Sequence, residues 1–89
     1  MRIKKGFVLE KVGDSYLACA TGKLASTFSG FVRMNESGAF LWRELDKADI
    51  TEAELVVRLI EEYGIDETLA GNDVRAFMKN LTENGIVDA

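Results

Sequence analysis

Apolar residues change their spacing once along this chain, close to residue 35. Before it they fall in short runs: Phe7-Val8-Leu9 with Val12, Tyr16-Leu17-Ala18, and Phe31-Val32 with Met34. After it they recur every three or four residues, as in Leu41, Trp42, Leu45 and in Leu55, Val56, Leu59, Ile60, Tyr63. The first pattern predicts strands and the second predicts helices.

The runs Phe7–Val12 and Ser15–Ala20 are rich in strand-favouring side chains. Only Gly13-Asp14 separates them, a two-residue connection that predicts a hairpin. Thr21–Gly30 is rich in Gly, Ser and Thr and predicts a long hairpin loop, with Phe28 tucked under it. Phe31–Met34 predicts a third strand. Three such strands form an antiparallel meander that needs a helical layer on one face.

Helical signals begin at once after that strand. Asn35 is suited to an N-cap, and Glu36 suits the first turn of a helix over about 36–45. Thr51 with Glu54 three residues on is a capping box for a helix over about 52–63, and Gly64 is its stop. Ala70, Val74, Phe77, Met78 and Leu81 line one side of a third helix over about 67–84, ended by Asn84-Gly85, with Ile86-Val87 folding back as an apolar tail. The expected architecture is α+β, one domain over 1–89: a three-stranded antiparallel sheet followed by three helices, with the last two helices and the ribbon arranged like a small winged helix-turn-helix.

Composition narrows the chemistry. The chain has 89 residues, no histidine, no proline and one cysteine, Cys19. Histidine triads, histidine metal sites and thiolate clusters are therefore excluded. A lone cysteine closes no internal disulfide, which fits a reducing, cytoplasmic location. No run approaches the ~18 apolar residues that a membrane span needs. No glycine-rich phosphate loop is present, and no cofactor is expected.

Charge is divided along the chain. Met1 to Met34 carries six basic and two acidic residues, a balance of +4, whereas Asn35 to Ala89 carries five basic and thirteen acidic, a balance of −8. A winged-helix shape invites DNA binding through the third helix, but phosphate binding needs a basic footprint, and the helical half is acidic. An enzyme is disfavoured too, because the carboxylates spread over helical faces with no base, nucleophile or metal set beside them. A generic protein-interaction subunit is the remaining rival, and it predicts a folded partner rather than an extended peptide.

Met34-Asn35-Glu36, Leu41-Trp42, Glu61-Glu62-Tyr63-Gly64, and Leu81 through Gly85-Ile86-Val87 together resemble the PqqD-like proteins of pyrroloquinoline quinone biosynthesis, over about residues 31–87. The resemblance implies a non-catalytic adaptor. Such domains bind the leader segment of a ribosomally made precursor peptide and deliver it to a modifying enzyme, often a radical S-adenosylmethionine enzyme. It also implies that the leader docks as an added strand on the third strand, in a groove closed by the third helix. The expected peptide-binding residues are Phe31, Val32, Arg33 and Met34 on the strand and Arg75, Met78, Lys79 and Thr82 on the helix. Strand addition suits this sequence, because the third strand of a meander is an edge and here it runs into a helix without a linker.

Overall fold

The computed structural model describes residues 2–22, 25 and 30–88, and of residue 88 the backbone alone. The loop expected over Thr21–Gly30, with Phe28 beneath it, lies largely outside the described residues.

The elements run β1 (Arg2–Ile3), β2 (Phe7–Val12), β3 (Ser15–Ala20), β4 (Phe31–Met34), α1 (Glu36–Lys47), α2 (Glu52–Tyr63), α3 (Glu67–Glu83) and β5 (Val87–Asp88). Strands β2, β3 and β4 form an antiparallel sheet in that order, followed by three helices, the expected α+β class. Gly13 adopts φ 62° in the β2–β3 turn, a conformation that glycine supplies without strain. The short pair β1–β5 was not foreseen. It forms a second antiparallel sheet, with Ile3 opposite Val87.

Each helix is fixed by its ends. The Asn35 side chain accepts from the Gly38 N–H, Thr51 and Glu54 complete their reciprocal capping box, and Asp66 accepts from the Leu69 N–H. Gly64 closes α2 in the left-handed conformation at φ 63°. Beyond α3, the Ile86 N–H bonds to the Leu81 carbonyl and the Gly85 N–H to that of Thr82. That is a Schellman closure, with Gly85 at φ 69° and with Leu81 and Ile86 both buried. It reverses the chain so that β5 lies against β1.

The core sits between the inner sheet face and the helices. Val32 and Met34 from β4 join Leu41, Trp42 and Leu45 of α1, Leu55 and Leu59 of α2, and Val74, Phe77, Met78 and Leu81 of α3. Each fully buried leucine contributes about 1.5–3 kcal/mol relative to exposure. Trp42 is 3% exposed and meets Phe7 of β2 edge-on, with ring centroids 6.3 Å apart. Phe40 meets Tyr63 in the same manner at 5.7 Å, tying α1 to the end of α2. Glu44 is buried and accepts hydrogen bonds from Lys47 at 2.8 Å and Arg58 at 2.9 Å. These two hydrogen bonds, that of Lys47 first, hold its carboxyl below the usual carboxylate range.

Candidate functional site

The edge of β4 is built by alternation. Val32 and Met34 are buried, whereas Phe31 and Arg33 face outward, Phe31 being 55% exposed. Main-chain directions follow from the hairpin. The Thr21 N–H bonds to the Gly6 carbonyl across the β2–β3 pair. Counting in steps of two from this pair, Cys19, Leu17 and Ser15 direct their N–H and C=O groups to β2. Ala18 and Tyr16 therefore direct theirs to β4, where their partners are Val32 and Met34. The N–H and C=O groups of Phe31 and Arg33 thus turn away from β3. Among the described residues no strand pairs with this edge, and the C-terminal segment pairs with β1 instead.

A cleft of about 260 Å³ runs beside the edge. One wall is Arg33 and Met34 of β4, the end is Asn35, Ser37, Gly38 and Leu41 of α1, and the far wall is Asp73, Ala76, Phe77 and Asn80 of α3. Gly38 lets the helix start this close. A Cβ there would stand 2.9 Å from the Cβ of Met34. Asn35 holds the turn by accepting from the Gly38 N–H at 2.9 Å and from the Ser37 hydroxyl at 3.0 Å. By helical spacing the α3 wall continues toward the start of the helix to Leu69, which is 46% exposed. Arg33 and Asp73 bring opposite charges to the two walls.

Of the expected strand residues, Arg33 and Met34 line the cleft, Phe31 lies on the open edge outside the lining, and Val32 is buried in the core; none of the expected helix residues lines the cleft. Asp73, Ala76, Phe77 and Asn80 form the wall, not Arg75, Met78, Lys79 and Thr82. Met78 is core, at 6% exposure. Lys79 is exposed and stands 3.9 Å from Glu83, Thr82 is exposed, and Arg75 borders a different groove, between α2 and α3. Both flanks of the α3 stripe are polar, so periodicity alone does not tell which one turns to the sheet. Residue size does not separate them either, because each flank carries a small residue, Ala76 on one and Gly71 on the other.

Among the described residues no cluster of acidic and cysteine side chains is arranged to hold a metal, and no helix is long and apolar enough to cross a membrane.

No match is found among curated protein sequences. In fold, the chain is similar to the solved structure described as TbiB1 in complex with the TbiA(beta) leader peptide. The TM-score is 0.74 at 18% identity, covering 100% of this chain and 96% of that one. The family described as coenzyme PQQ synthesis protein D (PqqD) matches residues 17–87, which takes in β4, the cleft and all three helices, and this chain belongs to that family.

Proposed function

We propose that this protein is a non-catalytic adaptor that binds the leader segment of a ribosomally synthesised precursor peptide by strand addition and presents it to a modifying enzyme. The observation that carries this reading is the open edge of β4, where the main-chain groups of Phe31 and Arg33 turn outward beside the α3 cleft. An extended peptide laid along the edge bonds these groups at every second residue, and its alternate side chains enter the cleft or point away from it. Main-chain pairing supplies affinity with little regard to sequence, and the cleft wall supplies preference. The contact set is Phe31, Arg33 and Met34 on the strand with Asp73, Ala76, Phe77 and Asn80 on the helix, Val32 being turned to β3 and the core.

Family membership supports the same partner, as does the fold shared with TbiB1, a protein whose structure holds a leader peptide. In proteins of this kind the modifying enzyme that receives the peptide is often of the radical S-adenosylmethionine type.

The test uses main-chain chemistry. A cognate leader peptide is titrated calorimetrically, alongside two versions N-methylated at alternate amides. One version loses binding and the other keeps it, because only every second amide faces β4. Micromolar affinity, about −8 kcal/mol, is the expected scale. Equal binding by all three peptides would overturn strand addition.

A further inference from the structure

A second groove lies on the other side of α3. Its α2 wall is Ala53, Val56, Val57 and Ile60, an i, i+3, i+4, i+7 row separate from the buried pair Leu55 and Leu59. Its α3 wall is the row Glu67, Gly71, Arg75. The hollow measures about 580 Å³ toward Ile60 and Glu67, and it continues as about 240 Å³ toward Glu52 and Arg75. From Glu67 to Arg75 the helix advances ~12 Å, the length of about two turns of a docked helix. Val57 is 55% exposed although it is a strongly apolar residue.

Gly71 points to an occupant. It stands inside α3, where glycine is the poorest helix former after proline. Gly38 is required by its neighbours, but Gly71 is not: an added Cβ would have no heavy atom within 4 Å. Nothing in the fold uses the missing side chain, and its effect is to deepen the groove floor. Among the described lining residues the acids outnumber the bases, with Glu52 on α2 and Glu67 on α3 against Arg75.

We infer that the α2–α3 groove floored by Gly71 is a docking site for a basic amphipathic helix of a partner protein, which lays two turns of apolar side chains over Val57 and Gly71 and sets lysines or arginines against Glu52 and Glu67. The site shares no residue with the β4 cleft, so helix and extended peptide bind together, and failure of one leaves the other standing.

The probe is a synthetic peptide of about 16 residues, long enough to hold a helix, with leucines on one face and lysines on the other, beside a counterpart with glutamate for lysine. Each is titrated into the isotope-labelled full chain and followed by amide shifts. The lysine peptide moves Ala53 to Ile60 and Glu67 to Arg75 and leaves Phe31 to Asn35 in place. The glutamate peptide moves neither. Gly71→Ala raises the melting temperature, because it improves the helix without a clash, yet weakens the lysine peptide about tenfold, because it fills the floor. Equal binding of both peptides, shifts centred elsewhere, or unchanged affinity in a stabilised Gly71→Ala chain would each overturn the proposal.

Discussion

Gly38 stands directly over Met34: a Cβ on the helix residue would come within 2.9 Å of the Cβ on the strand residue. The first turn of α1 and the last residue of β4 are therefore in contact with no room for a methyl group. Alanine in a helix is ordinarily better than glycine by up to about 1 kcal/mol. At position 38 the crowding reverses that sign, since overpacking a filled site costs about 1–3 kcal/mol. Gly38→Ala is expected to lower stability in urea denaturation and, by displacing Met34, to weaken leader binding at the cleft. A chain made more stable by the change contradicts the packing described.

Proline separates the two sides of β4. The Arg33 N–H faces away from β3, so Arg33→Pro keeps the ladder and removes a donor from the open edge. The Val32 N–H faces β3, so Val32→Pro breaks a ladder bond and leaves a void in the core, at a cost of about 3 kcal/mol or more. The expected result is a folded Arg33→Pro chain that has lost peptide affinity and a Val32→Pro chain that is largely unfolded. Circular dichroism with peptide titration reads both.

Glu44 pairs with Lys47 on its own helix and with Arg58 across on α2, and its carboxyl ionises more readily folded than unfolded. The contribution is complete above the ordinary value of 4.5 and is lost as pH falls through the lowered folded value. Glu44→Gln is expected to cost about 1–3 kcal/mol near neutral pH. The gap between wild type and variant should narrow on acidification below the ordinary glutamate range. Paired denaturation curves across pH measure it, and a gap that widens in acid would refute the assignment.

Thr51 supplies half of a reciprocal cap, accepting from the Glu54 N–H at 3.1 Å while Glu54 accepts from the Thr51 N–H at 3.2 Å. Thr51→Ala removes the side-chain half and should cost about 1 kcal/mol, lowering the melting temperature by about 4–8 °C for a domain of this size. Peptide affinity at 25 °C should be unchanged, because α2 does not line the β4 cleft.

Local signals read well in this sequence because they are satisfied within a few residues. Asn35 and Thr51 cap the helices they were expected to cap, and Gly64 ends α2 in the left-handed region. The in-out alternation of Phe31 to Met34 follows from strand geometry alone. Relations set by packing at a distance were not legible. The pairing of Arg2–Ile3 with Val87–Asp88 joins two-residue segments too short to show a period. The Glu44–Arg58 ion pair spans two helices, and no pattern along either announces it. The flank of α3 that faces β4 depends on how that helix rolls over Leu55 and Leu59. Sequence reasoning favoured the basic flank at Arg75 and Lys79, whereas the fold turns Asp73, Ala76 and Asn80 to the sheet.

Met34 ends a strand and Asn35 begins a helix cap, so the joint between them has no slack. A guest chain that re-twisted β4 would carry α1 with it as a lever arm. Two turns along that arm sits Trp42, pressed edge-on against Phe7 of the far strand. If the ribbon takes up a guest chain, the emission of the sole tryptophan is expected to shift with occupancy, with no label attached, and an unchanged spectrum at saturating peptide would contradict so rigid a joint.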